Sequence, residues 1–375
     1  MAAPTRKALA SYYICGLMMD YLRLFKQPWG IFLLLNLFFY VVIEVSPATF
    51  WPVAFINLLY PPFLVLNLLL TIYFLVKKEW KKVIVLGVLW LFTGHYFNRM
   101  VTWHFASKEA DIQIMSYNVR VFNAYAHLAD EGYQSSKKMI QFLKESPADV
   151  LCLQEYYNDS EDPVFATQRQ LKKVYPFMHK SKMTKNHSGA EFGMVVFSKW
   201  PIIYKGAVEL PTKGGNQIIF VDVKKGEDTL RIYNMHLQSM SINEQELRNN
   251  SSGSERFQTA LKTALKQFKK GAIQRSWQVD ELTQHIENCP YHVIVCGDLN
   301  DPPFSYTYEK LSDVLDNSFE SGAKGMGITY NGSIPFLRID QQFYSESLKI
   351  QYFNTLNSIR YSDHYPIIAG YSFDK

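Results

Sequence analysis

Near its C-terminal end the chain reads Ser362-Asp363-His364-Tyr365-Pro366. Upstream it carries Gly297-Asp298-Leu299-Asn300 and Leu153-Gln154-Glu155, each at the end of a short apolar run. Carboxylates, amides and an imidazole delivered to one rim of a sheet are what metal-assisted attack on a phosphate ester requires. Oxygen ligands hold a cation, an acid or a histidine handles the proton, and donors meet the phosphate oxygens. Three further residues fit the same chemistry. Asn118 lies in the run Ile114 to Phe122, His236 ends Leu230-Arg231-Ile232-Tyr233-Asn234-Met235, and Asp340 sits in Leu337-Arg338-Ile339-Asp340.

Each of these residues has an ordinary alternative reading. A carboxylate such as Glu155 after Val150-Leu151-Cys152-Leu153-Gln154 is often just a solvated strand end. Asp298 and Asn300 after Gly297 fit an Asx turn, as does Asp363-His364, and a lone histidine such as His236 is commonly structural. Asn118 within a packed strand would need hydrogen-bond partners. The argument rests on their joint occurrence.

The elements that must position them are short runs rich in Ile, Val, Tyr and Phe, predicted as strands: 112–122, 150–154, 193–198, 218–223, 230–236, 293–296 and 338–344. Helices are predicted at 135–145 and at 254–287, the second broken near Gly271, with a polar loop over 244–254. An α+β domain with a sheet core and outer helices follows.

Composition splits near residue 100. Through Met100 there are nine Lys or Arg against three acids, and the rest of the chain holds 30 basic and 31 acidic residues. A domain gripping nucleic acid through many phosphates usually carries a basic excess, which this near-neutral remainder lacks. Three apolar stretches, Trp29 to Ile43, Val53 to Val76 and Val83 to Phe97, predict about three transmembrane helices within a membrane region 1–104, against the usual ~17 to 25 residues per span. Pro61-Pro62 should kink the second. Lysines 77, 78, 81 and 82, with Arg6, Lys7, Arg23 and Lys26, place the N-terminus in the cytoplasm and residues 105–375 in the extracytoplasmic or periplasmic space. Segment Ala8 to Leu22 reads as interfacial. Cys152 and Cys296 fall inside apolar runs and read as small buried hydrophobes, and no Cys-x-x-Cys spacing suggests zinc or redox chemistry.

As a set, Ser116-Tyr117-Asn118-Val119-Arg120, Leu153-Gln154-Glu155, Gly193-Met194-Val195-Val196-Phe197-Ser198, Asn234-Met235-His236-Leu237, Gly297-Asp298-Leu299-Asn300, Arg338-Ile339-Asp340 and Ser362-Asp363-His364 resemble the endonuclease/exonuclease/phosphatase (deoxyribonuclease-like) family, in a membrane-anchored bacterial form. The resemblance covers about residues 110 to 373 in family order. Gln341-Gln342 departs from the aromatic or aliphatic residues more usual after the Asp340 position.

The resemblance implies a four-layer α/β/β/α sandwich as catalytic domain 105–375, with the site at the loop ends of two packed sheets. It implies Glu155 as principal metal ligand, supported by Asn118 and Asp363, and Mg²⁺ or Mn²⁺ as the cation. Asp340 would orient His364 toward the phosphate, Asp298 would orient or deprotonate water, Asn300 would donate to a phosphate oxygen, and His236 would serve the far side. Asp298 and His364 both stand as general-base candidates. The expected function is a membrane-anchored phosphodiesterase or phosphatase on a phosphoester such as a lipid head group. An extracytoplasmic nuclease is the alternative, and a non-catalytic tethered binding module a further one. The lipid bilayer is the expected partner, and the sequence implies no protein partner.

Overall fold

A computed structural model describes residues 28–105, 109–211, 217–240, 255–332 and 334–373. The expected interfacial segment Ala8 to Leu22, the basic residues before Lys77 and the polar loop over 244–254 lie outside them.

Two sheets face each other. The first is ordered Leu348–Thr355, Ile367–Phe373, Ile112–Asn118, Val150–Asn158, Glu191–Ser198 and Phe177–Lys180, with Thr184–Lys185 also pairing to Glu191–Ser198. The second is ordered Asp316–Asn317, Asp340–Tyr344, His292–Asp298, Asp228–His236, Gln217–Lys225 and Ile202–Ala207. At the centre of each lies one parallel pair: Ile112–Asn118 with Val150–Asn158, and Asp228–His236 with His292–Asp298. Strands covered on both faces read as unbroken apolar runs, which is why these four were legible.

Between the sheets pack Ile114, Val150, Cys152, Val196, Ile232 and Cys296, all fully buried. Both cysteines are free and buried, as their apolar neighbours suggested. Met139, Ile140 and Leu143 of the Gln134–Glu145 helix cover the outer face of the first sheet. Val279, Leu282 and Ile286 of the Glu255–Glu287 helix cover that of the second. The expected four-layer sandwich is present. The Glu255–Glu287 helix runs unbroken for 33 residues, where a break near Gly271 was expected. A Cβ at Gly271 would stand 3.0 Å from Arg275 Nη1 and 3.4 Å from the Ser239 carbonyl, so this glycine permits close packing rather than ending the helix.

The N-terminal third forms helices Pro28–Val42, Val53–Asn57, Tyr60–Val76, Trp80–Thr93 and His95–Asn98. The expectation of three membrane spans is not met: among the described residues no helix is long and apolar enough to cross a membrane. The second apolar stretch breaks at Leu58-Leu59 and restarts with prolines in the first turn of the next helix, where a missing N–H costs nothing. That helix has 17 residues, and at a rise of ~1.5 Å each it reaches roughly 26 Å, short of ~30 Å of hydrocarbon.

Aromatic side chains hold the helical region together and seat it on the sandwich. Phe39, Tyr60, Phe63 and Tyr96 cluster with Phe304 of the sandwich. Arg99, almost wholly buried, pairs with Glu309 and donates to the Pro303 carbonyl, while its own carbonyl accepts from Arg338 at 2.7 Å. Thr102–Trp103, on the N-terminal side of the boundary expected at 104/105, pairs with Lys324–Gly325.

Candidate active site

The parallel pairs deliver the site. Asn118 is the last residue of its strand and lies in register with Gln154. His236 and Asp298 end theirs in register with each other, and Asp298 is opposite Asp340 across the antiparallel pair. Four chain ends separated widely in sequence therefore reach one rim.

Glu155 arrives differently from the sequence expectation. The strand does not end at Gln154 but runs through to Asn158. Its register against Glu191–Ser198 shifts between Leu153 and Tyr156, a β-bulge that re-aims one side chain. Glu155 adopts φ of 49° there, a left-handed conformation uncommon outside glycine. Gly297 is required where it stands: its φ is 142°, and a Cβ would lie 1.9 Å from the Met235 carbonyl oxygen.

Side chains converge accordingly. The Asn118 amide donates to Glu155 Oε1 and to Asp298 Oδ2, each at 3.1 Å. His236 Nε2 lies 3.8 Å from Glu155 Oε1 and 3.7 Å from Asp298 Oδ2. His364 Nε2 lies 3.8 Å from the same Asp298 oxygen, while its Nδ1 is 2.8 Å from Asp340 Oδ2. Asp298 Oδ1 accepts from the Asn300 backbone at 2.9 Å, so the Asx geometry of the ordinary reading and the site coexist. The Asn300 side chain donates to the Leu237 carbonyl at 3.0 Å and so ties two rim loops together.

Electrostatics follow burial. Desolvation opposes a charge on His364, but the carboxylates of Asp340 and Asp298 outweigh it and push its pKa up to about 10. Burial raises the Asp340 carboxyl above the usual range despite the neighbouring imidazole. Thr329 Oγ1 accepts from the Asp340 backbone N–H at 3.0 Å and fixes the start of that strand.

Asp363 adds to the negative charge around His364. Its carboxylate pairs with Arg120 Nε at 3.1 Å, and the Arg120 N–H donates to Asn118 Oδ1. Arg120 and Thr329 were not singled out from sequence, since a lone arginine or threonine carries no pattern. The only signal for Arg120 was its place two residues after Asn118. The chain from Arg120 to Asn123 winds left-handed, with φ between 45° and 53°, and is pinned by Asn123 to the Tyr361 carbonyl at 2.7 Å. Gln341, an unusual residue for its position, binds Arg338 through both ends of its amide. Lys182 and His187 make no ion pair among the described residues, and Lys185 lies 3.6 Å from Glu191.

The donor set fits a divalent cation. Glu155 and Asp298 approach one amide nitrogen with no Lys or Arg paired to either among the described residues, which leaves negative charge that a cation would offset. Asp298, Asp340 and His364 also present ligand atoms within 4.8 Å of one another. The Asp340 to His364 contact, however, has hydrogen-bond length and geometry, which leaves the more open Glu155 and Asn118 corner better placed for a metal. The Glu155 carboxylate offers the oxygens that suit a hard ion, while Asn118 turns its amide nitrogen to the two carboxylates and its oxygen to the Arg120 N–H at 3.1 Å.

One solved structure supports this architecture, and others are similar to the chain. A structure from Beutenbergia cavernae described as an endonuclease/exonuclease/phosphatase is 16% identical, with 71% of this chain and 72% of that chain covered and a TM-score of 0.50. A family protein from Leptotrichia buccalis is 16% identical over 70% of this chain and 100% of that chain, with a TM-score of 0.49. A Bacteroides thetaiotaomicron mannosyl-6-phosphatase is 17% identical over 70% and 100%, with a TM-score of 0.47. No curated protein sequence matches. Residues 29–100 match a domain of unknown function, DUF8431. Residues 115–364 match the Endonuclease/Exonuclease/phosphatase family, and with every residue of the rim inside that span, the chain belongs to this family.

Proposed function

We propose that the chain hydrolyses phosphate esters by direct attack of water, with Mg²⁺ or Mn²⁺ held at the rim by Glu155 and Asn118. The observation that carries this reading is the meeting of Asn118, Glu155, His236, Asp298 and the His364–Asp340 pair within hydrogen-bond or ion-pair distance. When bound, the cation polarises the phosphoryl oxygen and offsets charge building on the leaving group.

The protein's own groups divide the remaining work. Asp340 keeps His364 charged and oriented, so the imidazolium donates to a phosphate oxygen. That leaves Asp298, held by the Asn300 N–H and facing both imidazoles, to orient water and accept its proton. His236, between Glu155 and Asp298, serves the leaving-group side. The Arg120 guanidinium adds positive charge beside the entry.

The helical region supports action at a lipid surface. Ile31, Leu34, Val41, Leu69, Val76 and Leu91 are exposed, an extent of apolar surface that marks a partner or a membrane. Exposed Lys77, Lys78 and Lys81 lie at the turn between two of these helices, suited to anionic head groups.

The test is turnover of bis(p-nitrophenyl) phosphate and of p-nitrophenyl phosphate by the full chain with Mg²⁺, with EDTA and as Glu155→Gln. Hydrolysis that chelation removes, and that the variant lowers by roughly 10²-fold or more, supports the reading. Equal rates in the variant would overturn it.

A further inference from the structure

Two clefts share a wall and are lined by residues that neighbour the rim, though by no rim side chain itself. One, of about 520 Å³, is bordered by Tyr330, Asn331, Asn357 and Arg360. It adjoins the catalytic rim, because the Tyr330 ring packs edge-on against His364 at 5.5 Å and the Asn331 N–H donates to the Asp363 carbonyl. The other, of about 220 Å³, is mostly apolar and lies between the helical region and the sandwich, among Leu58, Pro61, Met100, Pro302 and Phe304, with Asn57, Arg99 and Arg338 also lining it. Met326, Ile328 and Phe336 line both. The Pro302–Phe304 loop follows directly from Asn300, and the segment ending at Arg338 leads into Asp340, so the apolar cleft backs onto the loops that carry the site.

The wall between the clefts holds apolar side chains out in water. Phe336 is 71% exposed and Met326 46%. Phe336 also has φ of 63°, a conformation that a bulky side chain rarely takes and that tends to persist where function requires it. At its far end the apolar cleft reaches Leu58, which with its neighbour Leu59 is exposed and continues the bare apolar face of the helices. From the helices toward His364 the surface thus passes from bare hydrocarbon, through a mostly apolar cleft, to a mixed one that carries Asn331, Asn357 and the Arg360 guanidinium.

We infer that the substrate of the proposed hydrolase is a lipid phosphoester: its chain lies in the apolar cleft along Phe336, Met326 and Leu58, and its head group occupies the mixed cleft beside His364. This rests on the hydrolase reading above. The polarity gradient matches an amphiphile, whereas a nucleic acid would meet a domain without basic excess, 30 basic against 31 acidic residues after Met100. Burying methylenes in the apolar cleft stabilises the complex in proportion to the area removed from water, so chain length should act on KM.

The experiment uses the full chain with Mg²⁺ on phosphatidic acids and phosphatidylcholines of four-, six- and eight-carbon chains, each below its micelle concentration. Bis(p-nitrophenyl) phosphate and a DNA duplex serve as parallel substrates. The expected result is a rise of kcat/KM by about tenfold or more along one head-group series, expressed in KM, with the slope flattened in Phe336→Ser and in Leu58→Ser. Both replaced side chains are exposed, so the fold should persist. Turnover of bis(p-nitrophenyl) phosphate with chain-length-independent or absent lipid hydrolysis, or cleavage of DNA in preference to every lipid, would overturn the lipid assignment and leave the hydrolase intact. Absence of turnover on every substrate would instead defeat the hydrolase reading on which it rests.

Discussion

His364 Nδ1 lies 2.8 Å from Asp340 Oδ2, with both side chains almost wholly buried. The pair joins a loop near the C-terminus to the first residue of the strand Asp340–Tyr344, and it raises the pKa of the imidazole well above its ordinary value.

The pair's charge gives a pH prediction. His364 has its folded pKa raised to about 10 from an ordinary value of ~6.5. Its contribution to stability is therefore complete below about pH 6.5 and is lost as pH rises through about 10. Replacing Asp340 by Asn removes the largest influence raising that pKa. The alkaline limb of kcat/KM should then move to lower pH, and urea unfolding at pH 7 should show a loss of about 3 to 5 kcal/mol, as for a broken buried pair. An unmoved alkaline limb would show that another group sets it.

Gly297 allows a second test. Its φ of 142° and the 1.9 Å approach of a Cβ to the Met235 carbonyl leave no space for a side chain between two parallel strands. Gly297→Ala should cost more than about 3 kcal/mol, a loss reserved for named structural faults, measured by chemical denaturation. It should also disturb Asp298, the next residue.

The seat of the helical region can be weighed through Arg99 and Glu309. Arg99→Met leaves the Glu309 carboxylate buried without its partner and should destabilise by about 3 to 5 kcal/mol, whereas Arg99→Met with Glu309→Met should recover much of that loss. A double-mutant cycle in thermal or urea unfolding reads the coupling directly.

Lipid affinity is open to flotation. The full chain should float with vesicles containing anionic lipid. Lys77→Glu with Lys81→Glu should reduce the bound fraction, each lysine contributing roughly 1 kcal/mol near a charged surface. Equal flotation of variant and parent on anionic and neutral vesicles would discount the lysines.

Much of the site could be read from residue order because Asn118, His236 and Asp298 end strands buried on both faces, where apolar runs stop abruptly at polar residues. Glu155 was seen for the wrong reason. Val150 to Gln154 looks like a finished strand, yet Tyr156 and Tyr157 continue it, and a bulge leaves no trace in a run of apolar letters. Thr329 gave no signal and Arg120 only its place two residues after Asn118, because their partners, the Asp340 N–H and the Asp363 carboxylate, come from distant segments. In the N-terminal third, density of apolar residues suggested three spans, while helix lengths depend on Leu58-Leu59 and on prolines that start a helix instead of bending one. The strands Ile202–Ala207 and Leu348–Thr355 alternate burial weakly, as edge positions do, and so escaped detection.

The register shift between Leu153 and Tyr156 ties accuracy at the rim to an imperfection in the sheet. Removing a single residue from this stretch would let the pleat heal, relieve the left-handed backbone at Glu155 and give neater pairing, yet the carboxylate would swing to the opposite face. Selection for a tidier sheet and selection for turnover therefore pull against each other at this one point, and a more stable descendant of this chain that had lost the extra residue would be inert.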